Sequence, residues 1–164
     1  MIEGTDPSDL LREGHELFFA EPPDYIAAAA VFEKVVALSP DWAEGHNWLG
    51  STYENLSNQE GAERAWLSAN KLDPDDSRPL ISLGLLRTKQ GRFEEAVELL
   101  EQGVALKPHY GFADAKLFLA DALVGSGNIE GAKEQWREVL ELEPMYPSYD
   151  EPMNEAREKL SKYD

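Results

Sequence analysis

The chain has 164 residues, with 32 acidic and 15 basic side chains and a formal charge of −17 at pH 7. A field of that sign repels phosphate backbones and anionic membrane surfaces, so neither nucleic acid nor membrane is expected as a partner; it suits a basic partner, or simple solubility, or a salty cytoplasm. Without cysteine there is no disulfide framework and no thiolate nucleophile, and with no leader-like start or bilayer-length apolar run the expectation is a soluble, cytoplasmic protein.

The first helix is expected to open at Asp6 and Pro7, a capping carboxylate followed by a first-turn proline. Leu10, Leu11, Leu17, Phe18 and Phe19 make it rich in apolar residues. After a turn at Pro22 and Pro23, Asp24 precedes a second helix whose inward stripe is Ala28, Phe32, Val35 and Val36. A helix over 42–56, a turn at Ser57 and Asn58 and a helix reaching Leu72 come next. Residues 73–76 link to helices near 77–90 and 93–106. A further pair turns at residues 125–128, residues 145–149 form an extended connector, and a final helix runs over 151–162. Met153, Ala156 and Leu160 give that last helix one narrow apolar stripe. It reads as a polar cover for the end of the array, or as a partner-binding helix.

Within this series the chain says the same thing twice. Leu49, Gly50, Tyr53, Ala62, Trp66, Leu72 and Pro74 are followed 34 residues on by Leu83, Gly84, Arg87, Ala96, Leu100, Leu106 and Pro108. Ala28, Phe32, Leu38 and Pro40 carry the register backward, and Ala132, Trp136, Leu142 and Pro144 carry it forward with two extra residues near 109–112. Gly14 takes the place of Gly50 if two residues are inserted at 21–24. Such a period marks a helical repeat array. The glycines and alanines are small where the two helices of a unit press together, and each proline ends a second helix.

The pattern resembles the tetratricopeptide (TPR) repeat. The resemblance implies an all-α fold, a right-handed α–α superhelix of four antiparallel helix pairs plus a terminal helix. It covers a single domain, 1–164, with repeats at about 7–40, 41–74, 75–108 and 109–144 and a capping helix at about 150–162. Three departures stand out: His46, Leu80 and Lys116 replace the large aromatic of the first helix, Arg87 replaces the usual tyrosine, and Ala120 replaces the glycine.

In the family the first helices line a concave groove that takes peptide segments. Carried over residue by residue, the groove positions are Leu11, His15, Phe18 and Phe19 in the first unit and Glu44, Asn47, Ser51, Glu54 and Asn55 in the second. The third offers Arg78, Ile81, Leu85, Thr88 and Lys89, and the fourth Asp114, Leu117, Asp121 and Val124. Phe18, Phe19 and Leu117 can equally be core. Arg78 and Lys89 make a basic spot in an acidic chain, and the asparagines can both donate to and accept from a peptide backbone. The expected partner is a protein or peptide with apolar anchors and a basic flank. The alternative is a self-associating structural module that uses its ends and its apolar first helix.

No catalytic, cofactor or metal site is expected. His15, His46 and His109 are scattered. Asp73, Asp75 and Ser77 begin like a calcium loop, but Arg78 and Gly84 stand where its turn glycine and bidentate glutamate belong. Gly125, Gly127 and Gly131 form a helix–helix turn rather than a phosphate loop. Some TPR domains grip acidic carboxy-terminal chaperone tails with a clamp of lysine, arginine and asparagine. The corresponding positions here are Leu11, His15, Trp48, Arg78 and Ser82, or one unit on Asn47, Ser51, Ser82, Asp114 and Phe118, so no such clamp is expected.

Overall fold

The computed structural model describes residues 6–106, 111–142 and 150–163. Pro108, His109, Pro144 and the connector over 145–149 lie outside the described residues. Nine helices and no strand occur among the described residues. They fall into two compact units, Met1–Asp75 and Asp76–Asp164.

The first unit holds α1 (Pro7–Phe18), α2 (Tyr25–Leu38), α3 (Ala43–Asn55) and α4 (Gln59–Leu72). Asp6 accepts a hydrogen bond from the Ser8 amide at 2.9 Å and opens α1; Asp24 does the same for α2 through the Ala27 amide. Helices α2 and α4 end at Leu38 and Leu72, two residues before Pro40 and Pro74. α1 packs on α2, α2 on α3 and α3 on α4. The core joins Leu10, Leu11, Ala28, Val31, Phe32, Val35, Leu49 and Ala65.

The second unit holds α5 (Ser77–Lys89), α6 (Phe93–Ala105), α7 (Phe112–Gly125), α8 (Ile129–Glu141) and α9 (Asp150–Tyr163). α5 packs on α6, α6 on α7 and α7 on α8, while α9 covers both α7 and α8. Ala96, Leu100, Leu117, Ala120, Trp136, Val139, Met153 and Ala156 share its core. Met153 and Ala156 of the expected terminal stripe are thus interior, and Tyr163 stacks on Trp136 with centroids 5.5 Å apart.

The repeat marks do what their chemistry requires. Ala28, Ala62, Ala96 and Ala132 are all 0% exposed, and so are Phe32, Trp66 and Leu100 one turn on from the first three. Burying each of those larger side chains contributes roughly 1.5–3 kcal/mol. A Cβ on Gly50 would lie 2.5 Å from the Trp66 ring, and one on Gly84 2.5 Å from Leu100. Gly14 faces Phe32 in the same way, so the first unit does carry its insertion in the turn after α1.

Three of the five departing residues have a local explanation. His46 Nε2 pairs with the Pro40 carbonyl at 2.9 Å. Lys116, though buried, reaches across to Glu138 and Gln135 on α8. Arg87 takes the tyrosine's place by donating to Gln90 at 3.0 Å and lying 3.6 Å from Glu95. Where the tyrosine is kept, Tyr53 donates to Glu33 on α2 at 2.7 Å, and burial with that bond pushes its hydroxyl up to about 12. The two loops that looked like ligand sites are turns: Asp73 accepts from the Asp75 amide, Asp76 caps α5, and Asn128 caps α8 through the Gly131 amide.

Candidate functional site

The candidate residues divide by burial and by what already holds them. Leu11, Asn47 and Leu117 are buried, so their side chains belong to the interior rather than to an open face. In the second unit Ile81 is half-buried against the α6 backbone turn at Gly103, and Leu85, Thr88 and Val124 are likewise half-buried. Thr88 donates to the Gly84 carbonyl at 3.0 Å, a bond within its own helix.

Charges in the second unit are largely engaged within it. Arg78 Nε lies 3.0 Å from both carboxylate oxygens of Asp76, so the basic spot is neutralised by the residue that caps its own helix. Asp121 accepts from Lys159 of α9 at 2.5 Å, and Lys159 also pairs with Glu155 at 2.8 Å. Burial works against the Lys159 charge, yet bonding to those two carboxylates leaves its pKa raised. Asp114 is pushed up by burial, with Glu155 and Glu151 of α9 adding repulsion. α9 therefore supplies groups to the face where Asp114 and Asp121 were expected to meet a basic ligand. The exposed Lys89 also has an interaction partner in the fold.

The first unit is different. Trp48, outside the expected set, is the centre of an aromatic cluster that ties α1 to α3. Its ring lies 4.4 Å from His15, 5.4 Å from Phe18 and 5.6 Å from Phe19, each approached edge to face, and it stacks on Phe32 at 6.2 Å. Phe18 also meets Phe19 at 5.0 Å and Tyr25 at 5.2 Å. Phe19 is 65% exposed while Phe18 and Trp48 are half-buried, so the cluster opens to solvent along one side. The signal that could have found Trp48 is its spacing: Glu44, Trp48, Ser51 and Asn55 fall on one helical stripe.

Polar atoms in this face are unevenly satisfied. Asn55 donates to the Ser51 carbonyl and Ser51 to the Asn47 carbonyl, bonds within α3. Glu54 is half-buried and also has a partner. Nε2 of His15 and Nε1 of Trp48 are buried with no hydrogen-bond partner. Burial lowers the His15 pKa, and the nearby Glu44 carboxylate opposes that shift. Among the described residues no group of histidines and carboxylates could hold a metal ion.

Paired helices with interior small–large contacts recurring from pair to pair define a helical repeat protein. Two tetratricopeptide repeat family models match it, over residues 24–79 and 87–151. The chain belongs to the tetratricopeptide repeat family, with its all-α superhelical fold class. Neither match includes α1. Peroxisome biogenesis protein 5 of Arabidopsis thaliana is 32% identical over 102 residues, 62% of this chain and 12% of that protein. Protein O-mannosyl-transferase TMTC3 of Homo sapiens is 26% identical over 145 residues, 79% of this chain and 15% of that protein. The chain thus spans less than a sixth of either relative. Among solved structures, PilF of Pseudomonas aeruginosa superposes with a TM-score of 0.78 at 19% identity, covering 96% of this chain and 70% of PilF. No helix among the described residues is long and apolar enough to cross a membrane.

Proposed function

We propose that the protein is a non-catalytic, cytoplasmic interaction module that takes a segment of a partner protein on the face of its first helices. The observation that carries this is the open aromatic cluster of the first unit, where Phe19 remains 65% exposed beside the half-buried Phe18 and Trp48. Large rings of this kind provide most of the affinity in protein interfaces because they bury much apolar area with little conformational cost. The partner's anchors would be apolar and its flank basic, matching the −17 charge.

Cross-linking mass spectrometry on the protein with its captured partner tests this. Cross-links and protection concentrated on α1 and α3, and lost with Phe19→Asp but retained with Leu67→Asp on α4, are expected. A partner captured equally by both variants would place the interface elsewhere.

Self-association is the second reading, favoured by exposed Phe19 and the 75% exposed Ile26 at the start of α2. Light scattering separates the two, since a dimer broken by Phe19→Asp would show that a second copy covers this face.

A further inference from the structure

We propose that the aromatic face of the first unit seats a cationic side chain, an arginine or lysine of the partner segment, over the Phe19 and Trp48 rings, with the Glu44 carboxylate as its counter-ion. This rests on the reading that a partner segment docks on the first helices, and it names the chemistry recognised there.

Glu44 and Trp48 stand one turn apart on α3, and Trp48 faces His15 in the last turn of α1 and Phe19, the residue that caps the end of that helix. Trp48 meets both rings edge to face, and the Glu44 carboxylate is near enough to His15 to act on its charge. Aromatic faces carry negative potential, so rings beside a carboxylate form a favourable place for a cation. The chain brings together a ring, a cation and a carboxylate from its own residues in the second unit. There Lys116 Nζ lies 5.1 Å from the Phe112 ring centroid and pairs with Glu138.

In the first unit the rings and carboxylate are present, and the unit has few cations of its own. Residues 6–75 contain four basic side chains, Arg12, Lys34, Arg64 and Lys71. Arg12 is paired with Asp9 at 2.9 Å; Lys34 lies on α2; Arg64 acts on Tyr53; Lys71 is in the last turn of α4. Glu16, Glu21 and Asp24, close to Phe18 and Phe19 in sequence, add exposed negative charge. A neutral apolar ligand would use the rings but leave this field unanswered. A second copy of the chain would bring another −17 charge against it.

The probe is a pair of blocked twelve-residue peptides with two leucine anchors, one carrying two arginines and the other citrulline at the same places. Citrulline keeps the shape and removes the charge. Binding is read by calorimetry at about 0.15 M salt, where interactions beyond roughly 8 Å are screened, and by the Trp48 indole resonance. The arginine peptide is expected to bind at least five-fold more tightly than the citrulline peptide. Phe19→Leu, on an exposed side chain, and Glu44→Gln should each remove most of that difference, while Glu60→Gln on α4 should not.

Equal binding of the two peptides, lost on Phe19→Leu, would overturn the cation while leaving the docking reading intact. An arginine preference indifferent to Phe19→Leu and Glu44→Gln would show a diffuse acidic field and overturn this site. Failure of both peptides to bind would overturn the proposal too, and the cross-linking pattern of a captured partner then decides separately whether α1 and α3 are an interface. A dimer abolished by Phe19→Leu would assign the surface to a second copy.

Discussion

Trp48 meets His15 edge to face, centroids 4.4 Å apart and planes at 61°, with the His15 Nε2 sealed from solvent and without a hydrogen-bond partner. The contact makes α1 and α3 neighbours through aromatic packing rather than through a polar bond. It also sets a cost on charging the imidazole.

The first prediction follows from that cost. Burial lowers the His15 pKa below its ordinary 6.5 despite the opposing Glu44. A base with a depressed folded-state pKa is favoured in its neutral form by folding. Its contribution is therefore fully present above the unfolded pKa and lost as pH falls through the folded one. The Tm of the native chain should exceed that of His15→Gln by more at about pH 8 than at about pH 5. Thermal melts of the two proteins across that range check it, and a gap that stays constant or widens in acid would contradict the burial.

Gly50 and Ala120 occupy the same place in two repeats, opposite Trp66 and Trp136, and only the second tolerates a methyl group. A Cβ on Gly50 would come within 2.5 Å of the indole of Trp66, a ring that is 0% exposed and has nowhere to move. Gly50→Ala should cost about 1–3 kcal/mol by overpacking. Ala120→Gly should cost about 1 kcal/mol for the opposite reasons, a lost methyl and added backbone freedom. Urea titrations measure both. A neutral Gly50→Ala would mean that α3 and α4 separate more easily than their packing implies.

These marks were legible in the sequence because they are local: Gly50, Ala62 and Trp66 belong to consecutive helices joined by a short turn, so spacing alone brings them together. The insertion after α1 was legible for the same reason. The aromatic cluster was not, because Trp48 draws its neighbours from α1, and which rings meet depends on how two non-consecutive helices lie. The basic spot at Arg78 looked free because nothing in spacing says that a capping aspartate will also grip the side chain two residues on. Lys159 reaches Asp121 across 38 positions, a contact no repeat register encodes.

Ser57 adopts φ 60° at the turn between α3 and α4, where the later turns place Gly91 at φ 73° and Gly127 at φ 85°. A side chain in the left-handed region is strained by its own Cβ, and glycine is not. Ser57→Gly should therefore raise stability by roughly 0.5–1 kcal/mol after the added freedom of the unfolded chain is set against the relieved strain. Chemical denaturation shows the gain as a higher midpoint with unchanged slope. A loss would mean that the serine side chain contributes more than its backbone costs.

The last prediction concerns an acidic ligand. A peptide ending in a carboxylate and rich in aspartate, like a chaperone tail, needs several charge-assisted donors held in place. The first possible clamp register offers Leu11, His15, Trp48, Arg78 and Ser82. Leu11 is buried, burial disfavours the charged form of His15, and Trp48 is packed among rings. Arg78 spends its guanidinium on Asp76, with Nε 3.0 Å from both oxygens and a second nitrogen at 2.8 Å. Against a field of −17 no binding is expected. Asp76→Asn separates the two causes, because asparagine still caps α5 while releasing its charge from Arg78. That variant should also fail to bind, since one cation cannot replace a set of them. Calorimetry with such a tail peptide is the measurement. Micromolar affinity for the native chain would refute the assignment outright, and affinity gained only by Asp76→Asn would show that the pair with Asp76 had been keeping Arg78 from an acidic ligand.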